Sequence, residues 1–165
     1  MDLNTVQLIL NGKYEDARKK IDVRLMRNKF DGEAWFLKGF LSYNIGNNLK
    51  YSIECIEMAI HLGYNSDFVK RVLAYIWFEQ FEFNNTIRVI QQIKSKECID
   101  FFLISIAYLL LQESNEANKY LNMAYSLDKN TTKELLKMFY KVFVQDMDTL
   151  NKHEKTTLWN IILNL

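Results

Sequence analysis

Hydrophobic residues recur every three or four positions along this chain, in segments of about 10–16 residues separated by short polar breaks. The breaks are rich in Gly, Asn, Asp and Ser, for example at residues 11–13, 28–32, 46–48 and 128–130. No stretch shows the sustained alternation of a half-buried strand. We therefore predict a chain that is almost entirely α-helical.

Capping residues mark several of the predicted helix starts. Asp31 and Ser66 are predicted N-caps of the helices that follow them, and Thr131 with Glu134 fits a capping box. Towards the end of the chain, an apolar stripe predicts a helix over residues 131–145, and a last helix is predicted over roughly 149–164.

Pairs of small residues recur at a period of 31–35 residues. The two members of each pair lie 12 or 13 residues apart, and the second member precedes a large aliphatic residue by four positions. The pairs are Thr5 and Ala17, Gly39 and Ser52, Ala74 and Thr86, and Ser105 and Ala117. Small residues on facing helices let two backbones approach closely. Four pairs in phase predict repeated helix pairs over residues 1–30, 31–65, 66–97 and 98–130.

The second and fourth repeats resemble the tetratricopeptide repeat, whose signature is W-x2-L-G-x2-Y, then A-x3-F and a terminal proline. The matching residues are Trp35, Gly39, Tyr43, Ser52, Ile56 and Ala59, and then Phe101, Ser105, Tyr108, Ala117, Leu121 and Ala124. The resemblance covers roughly residues 1–130, although every proline is missing, Lys38 replaces the usual leucine and the third repeat is short. It implies a single all-α domain, an α-α superhelix of about four helix pairs with capping helices over residues 131–165. A non-repetitive helical bundle is the alternative.

Charge and cysteine content indicate which partners and which compartment the sequence favours. Lys and Arg number 21 against 20 Asp and Glu, so the net charge of +1 gives no general attraction to nucleic acid or to an anionic membrane. No apolar run is long enough to span a bilayer, and the first ten residues do not resemble a secretory signal. Cys55 and Cys98 lie far apart in the sequence and form no C-x-x-C motif. We therefore expect both to be reduced, partly buried thiols rather than a disulfide or a metal site. We expect a cytosolic protein without a membrane segment.

Residues typical of catalysis are sparse. His61 and His153 are 92 positions apart and lie in no metal-binding or nucleophile motif. Asp146 and Asp148 lie in a predicted turn, where aspartate commonly accepts hydrogen bonds from nearby backbone. No glycine-rich phosphate loop is present. We therefore expect no catalytic residue, no metal and no cofactor.

A basic cluster follows the first predicted turn. It comprises seven cations and three carboxylates, a local charge of +4; the cations are Lys13, Arg18, Lys19, Lys20, Arg24, Arg27 and Lys29. Most such runs form a solvated helix face with ion pairs along the helix. Contact with RNA or with an acidic partner is the alternative, although no aromatic residue is interleaved among the charges to stack on bases.

The resemblance also implies a binding surface, because the first helix of each repeat lines the concave groove in this family. Helical spacing assigns a largely apolar set of residues to that groove: Phe36, Phe40, Tyr43, Phe68, Arg71, Tyr75, Phe78, Phe102, Ile106, Leu109, Tyr140 and Phe143. Family members that hold acidic chaperone tails have Lys and Asn where this chain has Phe36 and Phe40, so that activity is not implied. We predict a partner helix or extended peptide in this groove. Alternatively, part of this set is core, covered by the C-terminal helix.

These observations predict a non-catalytic adaptor whose partner is a protein. Two alternatives remain open: a small secretion-type chaperone, and a nucleic-acid-contacting module that uses the basic cluster. The end of the chain is strongly apolar at Leu158, Trp159, Ile161, Ile162 and Leu163. We predict that this segment packs on the 131–145 helix, and that part of its surface forms a homodimer contact.

Overall fold

A computed structural model describes residues 1–46, 48–145, 151–153 and 155–156. These residues contain α-helices, one short π-helix and no strand. The helices are α1 (Leu3–Leu10), α2 (Tyr14–Arg27), α3 (Gly32–Ile45), α4 (Leu49–His61), α5 (Asp67–Glu79), α6 (Phe83–Gln91), α7 (Cys98–Leu110), α8 (Ser114–Leu127) and α9 (Lys129–Phe139), and the π-helix is Tyr140–Val144. The predicted all-α fold of tetratricopeptide-like helix pairs is confirmed.

The chain divides into two compact units, Met1–Lys94 and Ser95–Leu165. The first unit contains three helix pairs, α1 with α2, α3 with α4 and α5 with α6. The second contains the pair α7 with α8, followed by α9 and the π-helix. Each pair lies inside one of the four segments that the small-residue period marks.

The capping predictions succeed at two helices and fail at a third. The Asp31 carboxylate accepts a hydrogen bond from the Ala34 amide at 3.0 Å, and the Ser66 hydroxyl accepts one from the Val69 amide at 3.4 Å. The predicted capping box at Thr131 is wrong, because Asp128 caps α9 instead. Its carboxylate accepts from both the amide and the hydroxyl of Thr131, at 3.0 and 2.7 Å, so the helix begins earlier, at Lys129.

Small residues lie where the helices of each pair meet, as their spacing predicts, and a hydroxyl bonds across two of the pairs. The Ser52 hydroxyl donates to the Gly39 carbonyl at 2.7 Å. The Thr86 hydroxyl lies 3.2 Å from the Glu82 carbonyl at the start of its own helix and 3.4 Å from the Ala74 carbonyl of α5. In the second unit, the Ser105 hydroxyl donates to the Ala117 carbonyl at 2.8 Å. These hydroxyls are buried, so each bond satisfies a polar group at a point of close helix approach.

The pair in the first repeat is equally buried but is bonded differently. Thr5 and Ala17 are both fully buried between α1 and α2. The Thr5 hydroxyl donates to the Asp2 carboxylate at 2.7 Å rather than to a carbonyl of α2. Asp2 is also the N-cap of α1, so this hydroxyl stabilises the start of its own helix.

The turn between the two helices of each repeat contains one residue in the left-handed conformation. Gly12 and Gly46 occupy it in the first two repeats, with φ of 73° and 74°. Phe81 and Gln112 occupy it in the third and fourth, with φ of 60° and 63°. Left-handed backbone favours glycine and costs other residues about 1–2 kcal/mol. The turn geometry therefore persists at two positions that lack the residue it favours.

Several sequence predictions concern residues outside the described ranges. Asp146 and Asp148 are among them, as are the terminal apolar residues Leu158, Trp159, Ile161, Ile162 and Leu163. The predicted contact of this segment with the 131–145 helix, and the predicted homodimer contact, stay predictions.

Candidate functional site

Two helices of the first unit, α3 and α5, place their aromatic residues side by side. The Phe36 and Phe68 rings are 5.9 Å apart, and the Tyr43 and Tyr75 rings are 6.4 Å apart, both edge to face. Each ring pair joins residues 32 positions apart in the sequence, so α3 and α5 run parallel and in register. Edge-to-face rings at these separations attract each other through their quadrupoles. We call the surface formed by Phe40, Tyr43, Phe68, Arg71, Tyr75 and Phe78 the aromatic face.

The residues of the aromatic face differ in exposure. Phe68 and Tyr75 are 45% and 50% exposed. The remaining members are half-buried, namely Phe40, Tyr43, Arg71 and Phe78. Two half-exposed aromatic side chains two turns apart on α5, beside the half-buried rings of α3, give a partner both contact area and a place for side chains to insert.

Phe36 does not belong to this surface, although helical spacing assigns it to the groove. Its side chain is fully buried, 5.8 Å from the rings of Phe40 and Tyr64 and 5.9 Å from that of Phe68. Tyr64 lies in the turn after α4, which the spacing within α3 could not reveal. Phe36 is therefore a core residue that supports the aromatic face from below.

Polar groups border the aromatic face at one end. The Tyr43 hydroxyl donates to the Glu79 carboxylate at 3.2 Å, and Glu79 is exposed. Burial raises the pKa of Tyr43 and of Tyr75, and the negative charge of Glu79 raises both further. Both phenols therefore stay protonated at neutral pH and remain hydrogen-bond donors. The sequence-based set omitted Glu79, although it lies four positions after Tyr75 on the same side of α5.

In the second unit, only part of the predicted groove set is accessible. Phe102, Ile106 and Tyr140 are buried, and the Tyr140 hydroxyl donates to the Lys155 carbonyl at 2.8 Å. Leu109 and Phe143 are about half exposed, and the Phe143 ring lies 5.1 Å from that of Phe139. α7 packs against both α8 and α9, which explains why its apolar residues Phe102 and Ile106 are core. These three buried residues are not contacts for a partner.

A further aromatic cluster lies at the turn between α5 and α6, and sequence analysis did not identify it. The Phe83 ring is 5.5 Å from that of Phe78 and 6.2 Å from that of Phe81. Phe81 is 79% exposed at its left-handed turn position. The sequence did contain a sign of this cluster, because Phe81 stands at the turn position where the first two repeats have glycine.

The basic cluster has less free positive charge than its sequence indicates, because carboxylates neutralise Arg24. Its guanidinium donates to both carboxylate oxygens of Asp31 at 2.9 and 3.0 Å and to Glu33 at 2.8 Å. Asp2 approaches it at 3.7 Å. Burial raises the pKa values of Asp31 and Glu33, but hydrogen bonds and charge from Arg24 outweigh it and leave both lowered. Arg24 thus ties α1, α2 and α3 together.

We expect Arg24→Met to lower the free energy of unfolding by about 1–2 kcal/mol at pH 7, because half-buried, charge-assisted hydrogen bonds are lost. The lowered pKa values of Asp31 and Glu33 stabilise the folded state at pH values above their unfolded pKa, near 4. This stabilisation disappears as the pH falls through the folded pKa values. Urea unfolding at several pH values should therefore show the largest difference from wild type near neutrality and a small one in acid.

Arg18→Met is the matched control for this prediction. Arg18 pairs with Glu15 at 3.1 Å on the same helix, and both side chains are more than half exposed. Exposed pairs of this kind contribute little to stability. Equal effects of the two substitutions at pH 7 would contradict the role assigned to Arg24.

A metal site requires grouped ligands, and a membrane-spanning helix requires a long apolar stretch. Among them, no three His, Cys, Asp or Glu side chains are grouped as metal ligands would be. No helix in the described part of the chain is long and apolar enough to cross a membrane. His61 is exposed in the last turn of α4, and His153 is exposed.

Comparison with solved structures identifies the fold. A crystal structure of MamA aligns with a TM-score of 0.71 over 99% of this chain and 94% of its own, at 15% sequence identity. MamA 41-end from Desulfovibrio magneticus RS-1 aligns with a TM-score of 0.72 over 98% of this chain and 90% of its own, at 14% identity. This chain has the fold of MamA.

A third structure, also of MamA, aligns with a TM-score of 0.66 over 78% of this chain and 72% of its own, at 19% identity. MamA contains tetratricopeptide repeats, so the resemblance seen in the sequence holds at the level of fold. No protein-family model matches the chain, and no curated protein matches it. At these identities, the likeness to MamA establishes the fold and leaves the partner open.

Proposed function

We propose that this chain is a non-catalytic protein-interaction module that binds an apolar helix or extended peptide of a protein partner on the aromatic face. The observation that supports this proposal most is the parallel register of α3 and α5, which packs Phe36 against Phe68 and Tyr43 against Tyr75. Phe68 and Tyr75 nevertheless remain half-exposed. A scaffold that interacts with proteins is also the role that the tetratricopeptide-like fold favours.

The chemistry of the face defines the partner. Phe40, Phe68 and Phe78 offer apolar area. The Tyr43 hydroxyl donates its proton to Glu79, so its oxygen and the Glu79 carboxylate offer acceptors to a partner. Aromatic side chains with few rotatable bonds lose little entropy on binding, and they are the usual hot spots of interfaces. The partner segment therefore has large apolar side chains along one side and hydrogen-bond donors beside them.

Peptide selection tests this proposal directly. Random peptides of about twelve residues displayed on phage should yield binders rich in large apolar residues when selected against the full chain. Phe68→Ala with Tyr75→Ala should weaken a selected peptide at least tenfold, since two hot-spot residues contribute about 1–2 kcal/mol each or more. Because the contact is mostly apolar, affinity should change little between about 50 and about 500 mM NaCl.

Tyr51→Ala with Met58→Ala provides the control. Both residues are exposed on α4 to a similar degree and lie outside the aromatic face. If this control weakens the selected peptides as much as the α5 double variant, the aromatic face is not their site. A steep loss of affinity with salt would instead favour the basic cluster as the binding surface.

The same proposal places the module in the cytosol. The support is that Cys55 and Cys98 are buried free thiols, and burial raises both pKa values, which keeps the thiols protonated and unreactive.

A further inference from the structure

The solvent side of α2 combines large exposed apolar side chains with cations. Val23, Met26 and Phe30 are 44%, 82% and 65% exposed, although Val23 and Met26 lie on a helix whose other side is packed in the core. Lys19 precedes Val23 by four positions, so Lys19, Val23 and Met26 lie along one side of α2. We call this surface, together with Lys20, Arg27, Lys29 and Phe30, the α2 outer face.

The α2 outer face carries more positive than negative charge. Lys19, Lys20, Arg27 and Lys29 are exposed, and Lys20 donates to the neutral Asn4 side chain at 2.8 Å. Lys29 lies over the Phe30 ring at 5.1 Å. Lys19 and Lys20 also line an open recess of about 380 Å³ beside Asp2 and Val23.

Most carboxylates near this face form ion pairs with Arg18 or Arg24 and not with the cations of the face. Asp2, Asp31 and Glu33 surround Arg24, and Glu15 pairs with Arg18. Asp22 is half-buried and lines a cavity together with Arg18, Lys38 and Leu41. Asp16 is exposed one turn before Lys19 and Lys20, where it offsets part of their charge. The surface around Met26 and Phe30 therefore remains positive, although the chain as a whole is almost neutral.

We propose that the α2 outer face adsorbs to an anionic lipid bilayer, with Met26 and Phe30 entering the interface and Lys19, Lys20, Arg27 and Lys29 above the lipid phosphates. An anionic bilayer supplies both requirements of this face, negative charge and an apolar layer just beneath it. Each cation near such a surface strengthens binding about fivefold. The contact is peripheral, because the opposite side of α2 remains in the protein core. It does not depend on the aromatic face.

The shape of the face favours a bilayer over other anionic partners. Met26 and Phe30 are mostly exposed, and a fluid interface can surround such side chains without a preformed pocket. A nucleic acid would neutralise the cations but leave Val23 and Met26 exposed, since neither side chain stacks on a base. A protein would need matching cavities for two protruding side chains as well as clustered carboxylates.

Vesicle co-sedimentation of the full chain tests this proposal. We expect binding to vesicles of about 30% POPG in POPC at about 50 mM NaCl, and little binding to pure POPC. Lys19→Glu with Lys20→Glu should raise the lipid concentration for half-maximal binding at least tenfold. Met26→Ser with Phe30→Ser should do the same, because the apolar contribution is lost while the charge is unchanged.

Two matched controls make the test specific. Lys50→Glu with Arg88→Glu changes the net charge by the same amount at exposed positions of α4 and α6, and Met138→Ser removes a methionine that is 62% exposed on α9. Both should bind vesicles as wild type does. No binding of wild type to POPG vesicles, or an equal loss in the α4/α6 control, would overturn the proposal. So would tight binding of poly(U) combined with unchanged vesicle binding of the Met26/Phe30 variant, which would assign the face to nucleic acid.

Discussion

Gly39→Val should lower the free energy of unfolding of the first unit by about 3 kcal/mol or more. A Cβ at Gly39 would lie 2.7 Å from Ile56 Cγ1 and 2.8 Å from the Ser52 carbonyl oxygen. The second contact is with backbone, which cannot rotate away, so α3 and α4 must separate. Their separation also breaks the buried bond from the Ser52 hydroxyl to the Gly39 carbonyl. Because typical domains are stable by only about 5–15 kcal/mol, this is a large fraction of the total.

Urea unfolding followed by circular dichroism measures this effect, and Lys38→Val is the control. Lys38 is the neighbouring, half-buried residue of α3, so its replacement introduces the same β-branched side chain one position earlier, and it removes the ammonium that lies 5.5 Å from the centre of the Trp35 ring. It should cost about 1 kcal/mol, the usual scale of helix propensity together with an exposed cation–π contact. If Gly39→Val unfolds at the same urea concentration as Lys38→Val, the close approach of α3 and α4 is not essential to the fold.

Phe36→Ala should cost about 3–5 kcal/mol, the usual range for a buried phenylalanine. The ring is fully buried and contacts three other aromatic rings, those of Phe40, Tyr64 and Phe68. Its removal leaves a cavity beneath the aromatic face, so we also expect weaker binding of any peptide that Phe68 and Tyr75 hold. Thermal and urea unfolding of the full chain measure the first effect.

Phe68→Ala is the companion measurement, because Phe68 touches the same ring but is 45% exposed. Its truncation should cost clearly less stability, about 1.5 kcal/mol or below, since little buried area is lost. The two substitutions therefore separate a supporting core residue from a surface residue. Equal losses of stability would show that Phe36 is no more part of the core than Phe68.

The fold was predictable because close helix contacts leave a periodic trace in the sequence. Two helices can approach at one level only where both have small residues, and that requirement recurs with the repeat. Gly39 with Ser52 and Ser105 with Ala117 are the clearest instances. The hydroxyl bonds across these pairs were not predicted, although a Ser or Thr in a tight contact between helices needs an acceptor.

The candidate site was less predictable, because helical spacing gives a direction and not the neighbour that lies there. Phe36 and Phe40 share one side of α3, yet Tyr64 and Phe68 bury the first and leave the second half-exposed. Arg24 illustrates the same limit. It counts as one of seven cations in the sequence, but its partners Asp2 and Glu33 come from different helices. Such contacts are set by tertiary packing.

The left-handed turn residues recur along the chain with the period of the repeats. Gly12, Gly46, Phe81 and Gln112 mark one point of each repeat, independent of side-chain chemistry. In the first, third and fourth turns, the amide after that residue donates to the carbonyl five positions earlier, as Glu82 does to Trp77 at 3.0 Å. These four turn residues recur at the same period of 31–35 residues as the small-residue pairs do. Gly63 has the same conformation, with φ of 88°, in the turn between α4 and α5, and the Tyr64 amide donates to the Ala59 carbonyl at 2.9 Å. The mark therefore shows where a helix ends in this kind of turn, and the small-residue pairs are needed to tell a turn within a repeat from a turn between repeats.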